Sequence, residues 1–109
     1  MKQPFLDVQL LKVWRNCAKK IATQFGLRNF RICLFHPNDP DRRTCRGTCF
    51  LDGLILLNTR KCRGVKFDSM ESNIDTLIHE LAHLRYRSHN QDFWKFHQRM
   101  KKWFYKNLY

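Results

Sequence analysis

His79-Glu80-Leu81-Ala82-His83, followed by His89, is a stretch whose residue types and spacing amount to chemistry. On a helix, histidines four residues apart project from one face, so both imidazoles reach a single metal ion. Glu80 follows the first histidine, where a carboxylate takes a proton from water that such an ion activates. His89 stands six residues past His83. A chain that leaves the helix near Tyr86 to Ser88 can turn and bring this third nitrogen to the ion. Three protein ligands leave a fourth position open, which separates catalytic from structural zinc sites. Alone, His-Glu-x-x-His is short enough to be decoration on a surface helix. The helical pattern around it and the third histidine favour one zinc ion per chain, held by His79, His83 and His89, with Glu80 as the catalytic base.

The elements that must position these residues are legible in the flanking pattern. Ile74, Leu77, Ile78, Leu81 and Leu84 recur at helical spacing, with Ser72 as the expected cap and Asp75 as the capping-box acid. Residues 5 to 25 read as a first helix, with an apolar stripe of Val8, Leu11, Trp14, Ala18, Ile21 and Phe25 and a stop at Gly26. From Asn29 to Phe35 the chain alternates, as in a half-buried strand. His36 to Arg43 is a polar, proline-punctuated loop in which His36 is an exposed histidine rather than a ligand. Thr48 to Asn58 reads as a hairpin turning at Asp52-Gly53 in a type I′ turn. Thr59 to Lys66 is a basic loop. After His89, Asn90 is a suitable cap for a last helix to about Asn107, with Phe93, Phe96, Met100, Trp103 and Phe104 on its apolar face.

The composition narrows the setting. The chain has 109 residues, enough for one domain with one core, and nine Phe, three Trp and three Tyr to build it. Twenty-one basic against nine acidic residues give a net charge of +12, which favours polyanions, nucleic acid before anionic membrane. Two groups of cations are the expected nucleic-acid contacts: Arg60, Lys61 and Arg63 in the basic loop, and Lys95, Arg99, Lys102 and Lys106 as a stripe on the last helix. Asp7, Gln9 and Lys12 interrupt any apolar leader, and no stretch approaches a membrane span. Five cysteines, an odd number, fit a reducing interior. The expectation is an intracellular monomer, cytoplasmic or nuclear. Cys45, Cys49 and Cys62 lack an evident fourth ligand, which weighs against a second, structural zinc.

Gly47-Thr48-Cys49, Gly53-Leu-Ile-Leu-Leu-Asn58, His79-Glu-Leu-Ala-His83-Leu and His89-x-x-x-Phe93-Trp94 follow in an order that resembles the SprT-like, WLM and YgjP-type zinc metallopeptidases. The resemblance covers about residues 45 to 96. It implies an α+β, minimal zincin-like fold: an N-terminal helix, a small twisted sheet of about three strands, the His-Glu-x-x-His helix and a closing helix. It makes His79, His83 and His89 ligands and Glu80 the general base. Thr48 replaces the serine of the strand motif. Metzincins share the step from His83 to His89 but carry a glycine where Tyr86 stands here. SprT-like and WLM members cleave proteins crosslinked to or bound on DNA, and this implies the same substrate class.

The expected activity is therefore peptide hydrolysis, on a protein or peptide substrate that could add to an edge of the sheet, with Tyr86 or His97 as candidates for a second electrophile. The main alternative is a basic nucleic-acid-binding module with a structural or inactive zinc. A hydrolase of other bonds and an interaction subunit with exposed aromatics are further rivals. Glu80→Gln separates the first pair, because a binding module loses nothing by it.

Overall fold

The computed structural model describes residues 5–35, 46–58 and 69–109. Its elements are α1 (Phe5–Phe25), β1 (Arg31–Leu34), β2 (Gly47–Cys49), β3 (Leu54–Leu57), α2 (Met70–Ala82) and α3 (Gln91–Asn107). This is the α+β arrangement read from the sequence, with a three-stranded mixed sheet. On α1 the stripe turns inward: Trp14, Ala18 and Ile21 are buried, and Val8, Leu11 and Phe25 half-buried. The helix stops at Gly26, whose φ of 71° is left-handed. Leu27 N–H then reaches back 3.0 Å to the Ala22 carbonyl, the bond of a Schellman close.

β3 is the middle strand, with β1 parallel on one side and β2 antiparallel on the other. Its unbroken apolar run suits a strand with neighbours on both edges, and Ile55 and Leu57 enter the core. The β2–β3 turn differs from the expected two-residue type I′ form. That form needs positive φ at both Asp52 and Gly53, and only Gly53, at 91°, has it. The loop instead spans Leu51, Asp52 and Gly53. Gly53 N–H donates to the Phe50 carbonyl at 3.0 Å and Phe50 N–H to the Leu54 carbonyl at 2.8 Å. Asp52 Oδ1 accepts from Leu54 N–H at 3.1 Å, which holds the aspartate on the right-handed side. A side chain at Gly53 would also run into the Asn29 carbonyl, so glycine is required there on both counts.

α2 touches α1, α3, β2 and β3 and is thereby the element the others surround. Its Ile74, Leu77, Ile78 and Leu81 join Trp14, Ala18, Ile21, Ile32, Ile55 and Leu57, with Phe93, Phe96, Met100 and Phe104 from α3, in one core. Each Leu, Ile, Phe or Met among them contributes about 1.5–3 kcal/mol on full burial. Among the described residues, no helix is long and apolar enough to cross a membrane.

Candidate active site

Ser69, not Ser72, starts α2. Its backbone is extended, and its hydroxyl accepts from the Ser72 N–H at 3.1 Å. Ser72 therefore lies in the first turn, and Asp75, one turn further in, cannot act as a capping-box acid. Asp75 faces α3 instead, 3.1 Å from Lys101 Nζ and 3.6 Å from His97 Nε2. The far end is also shorter than the sequence suggests. The helix ends at Ala82 with His83 as its cap, and a turn follows, with Arg85 and Tyr86 N–H both donating to the Ala82 carbonyl.

With the core stripe of α2 turned inward, His79 and His83 emerge together on another face. His89 arrives on the connector, one residue before Asn90, which caps α3 by accepting from Phe93 N–H at 2.9 Å. The third histidine is thus tied to the start of a helix. His89 Nε2 lies 3.0 Å from both His79 Nε2 and His83 Nε2. His83 Nδ1 donates to the Tyr86 carbonyl at 3.0 Å, so its proton sits there and its Nε2 offers a lone pair.

Three imidazole nitrogens pointing at one another suit a cation. A proton on one of them serves a single neighbour at a time, whereas a metal ion accepts all three lone pairs at once. Nitrogens 2.0–2.1 Å from a tetrahedral ion stand ~3.3 Å apart, close to the spacing seen here. Burial, followed by the neighbouring His83, His89 and His97, lowers the pKa of His79 to about 4. Burial foremost lowers that of His83 as well. Both shifts favour the neutral form that a metal binds.

The surroundings hold this cluster in place. The Phe93 ring underlies it, 4.6 Å from the ring of His83 and 5.0 Å from those of His79 and His89. Trp94, half exposed, stacks on His89 at 5.7 Å and 28°. Arg87 joins the connector to the sheet, donating to the Cys49 carbonyl at 2.8 Å and the His83 carbonyl at 3.4 Å. Arg85 does the same toward α1, donating to the Phe25 carbonyl at 2.6 Å while lying over the Phe96 ring. The sequence offers no sign of these two arginine bridges, because their partners are 38 and 60 residues away.

Glu80 is 6% exposed, and burial raises its pKa to about 7, with Arg87 pulling the other way. Of the two suggested electrophiles, Tyr86 rests its ring against Phe96 and is partly buried. His97 is buried beside His79, Phe93 and Trp94, and burial lowers its pKa. Lys95, Arg99, Lys102 and Lys106 are all exposed on α3, Arg99 lying 5.8 Å over the Phe25 ring. Arg60, Lys61 and Arg63 lie outside the described residues, as do His36, Cys45 and Cys62. Cys49 is buried against Arg87, which holds 3.5 Å from its sulfur.

The sequence signature of the WLM domain matches residues 8–108. The chain belongs to the WLM family. The family is one of zinc metalloproteases, and its membership together with the histidine triad makes this a metal site. The match narrows the broader SprT-like, WLM and YgjP-type resemblance. The WLM fold recurs in solved structures of Wss1. A mutant from Saccharomyces cerevisiae aligns with a TM-score of 0.78 and 19% identity over 100% of this chain and 90% of that one. A mutant from S. pombe gives 0.71 and 23% over 94% and 89%. Wss1 from S. pombe gives 0.70 and 24% over 94% and 85%. At these identities the structures establish the fold. No curated protein sequence gives a significant match.

Proposed function

We propose that this WLM-domain chain is a zinc-dependent endopeptidase that cleaves proteins associated with DNA. The observation that carries the peptidase reading is the meeting of three Nε2 atoms, two of the contacts at 3.0 Å, beside the helix that carries a buried carboxyl. His79, His83 and His89 hold the ion. Zinc bound there supplies a Lewis acid that brings the pKa of a water toward neutrality and polarises a carbonyl.

Glu80 is the general base. Its carboxylate accepts the proton of the attacking water and returns it to the leaving amine. Burial raises its pKa to about 7, with Arg87 pulling the other way, near the working range of such a group. Phe93 and Trp94 orient the histidine rings, and Arg87 fixes the connector that carries His89.

The net charge of +12 and the exposed cations of α3 support the DNA part of the reading. A polyanion would bring enzyme and protein substrate together on one polymer. The test is cleavage of a basic, partly unfolded protein by the zinc-loaded chain, with and without single-stranded DNA, at low and high salt. Stimulation by DNA that fades as salt rises is expected. Cleavage indifferent to DNA at every salt concentration would remove the DNA part and leave a peptidase. Binding to DNA with no cleavage would favour the binding-module alternative.

A further inference from the structure

Gly47 opens β2 opposite α2, closer than a side chain would permit. A Cβ built on it would stand 2.9 Å from Thr76 Cγ2, 3.0 Å from Glu80 Cγ and 3.2 Å from Glu80 Oε2. Carbon atoms in contact settle at roughly 3.5–4.0 Å, so strand and helix approach to a distance that only a hydrogen atom allows. The backbone does not demand this glycine. Positive φ occurs at Gly26 and Gly53, and Gly47 is not among the positive-φ residues. Its Cα is paired with Leu57 in the antiparallel ladder, where any side chain usually serves a strand better than glycine. What the position requires is space.

That space cannot easily be recovered by moving the strand. Two residues on, Cys49 is held by Arg87, which also reaches the carbonyl of His83. Before it, the Arg46 carbonyl accepts from Asn58 N–H at 2.8 Å, continuing the pairing with β3. Thr76 forms the other wall from α2, one turn before Glu80. Thr76 is β-branched and its hydroxyl donates to the Ser72 carbonyl at 3.0 Å, so the longer, unbranched Glu80 side chain is the freer of the two to give way.

We propose that Gly47 is a positioning residue for the reaction: the room left by its missing side chain seats the Glu80 carboxyl. This rests on the reading of Glu80 as general base. A carboxylate displaced by an added methyl group leaves the water it must deprotonate, and a shift of about 1 Å can lower a rate ~100-fold. The three atoms nearest to a Cβ at Gly47 belong to Thr76 and Glu80 and not to the histidines, so metal binding is expected to persist.

The experiment uses the zinc-loaded chain and a labelled, unstructured basic protein as substrate. Gly47→Ala is expected to lower kcat roughly 10- to 100-fold, with KM within about twofold of wild type. Zinc content stays at the wild-type value, the thermal transition falls by no more than roughly 10 °C, as for one overpacked methyl group, and a crystal structure shows the Glu80 carboxyl displaced from β2. Adding Thr76→Ala removes the nearest wall, and the double variant recovers part of the lost kcat. Wild-type kcat in Gly47→Ala overturns the proposal, and so does a loss of kcat matched by loss of zinc. If the single variant does not fold, the double variant is read alone: folded, zinc-bound and slow supports the proposal, while folded with wild-type kcat overturns it. Glu80→Gln assayed alongside separates the two readings. If it cleaves at the wild-type rate, the general base fails and this proposal with it. If it is inactive while Gly47→Ala is fully active, only this proposal fails.

Discussion

α3 presents two faces that work by different physics. Inward, Phe93, Phe96, His97, Met100 and Phe104 are buried, and Phe93 lies under the three histidines. Outward, Lys95, Arg99, Lys102 and Lys106 stand exposed along the same helix. The inner face acts through contacts, so single atoms decide its effect. The outer face acts through summed charge, screened over a Debye length of about 8–10 Å, so no single side chain decides it. On the proposed reading one helix supports the metal site and offers a surface to a polyanion, and the two roles should separate under mutation.

The largest expected effect is on the inner face. Phe93→Ala removes the ring that supports the triad and a buried core residue at once, at a cost of about 3–5 kcal/mol in unfolding free energy. Denaturant unfolding measures this, and a zinc titration of the same variant shows weakened binding. A loss below ~1 kcal/mol would mean that the contact is slack.

Next comes the carboxyl that α2 buries against β2. In the metal-free protein the carboxyl of Glu80 has a folded-state pKa of about 7, raised by burial from 4.5. The folded chain therefore holds this proton more tightly than the unfolded one. The associated stability is fully present below about pH 4.5 and is lost as pH rises through about 7. Metal-free Glu80→Gln should match wild type near pH 4 and exceed it at pH 8 by at most about 3 kcal/mol. Equal stability at both ends of this range would show the carboxyl to be better solvated than its burial suggests.

Zinc itself should stabilise to a similar degree. At a free concentration 100 times Kd, the gain is about 2.7 kcal/mol. His89→Ala should lose most of this gain while leaving the metal-free stability within ~0.5 kcal/mol, since His89 is exposed. A full gain in the variant would leave His79 and His83 as the binding pair.

The smallest effect on stability belongs to the outer face. Replacing Lys95, Lys102 and Lys106 together by Gln should shift the unfolding free energy by no more than about 0.5 kcal/mol. The same change should weaken single-stranded DNA binding and flatten its salt dependence by ~0.7 log units per lost phosphate contact. DNA-independent cleavage should be unaffected. An unchanged salt slope would clear this stripe of DNA contact.

The sequence carries local order well and long-range order poorly. The span of α1 from 5 to 25, the Asn90 cap and the grouping of the histidines follow from periodicity and spacing over a few turns. The start of α2 is ambiguous in the sequence because Ser69 and Ser72 are both good caps, and Asp75 satisfies a capping-box pattern while pairing with Lys101 across to α3. The hairpin turn depends on the backbone angle at Asp52, which its own side-chain bond to Leu54 N–H helps to set. The parallel pairing of β1 with β3, the two arginine bridges and the close approach of Gly47 to Glu80 join residues far apart in the chain. No short-range pattern encodes such meetings.

The most direct test of the account sets zinc-loaded wild type beside Glu80→Gln on a labelled, unstructured basic protein, with bound zinc measured in both. One zinc per chain in each is predicted, with cleavage by wild type and a loss of ~10²–10⁴-fold in the variant. Equal cleavage by the two proteins, or a wild type that binds no zinc, would contradict the reading of His79, His83, His89 and Glu80 as one catalytic centre.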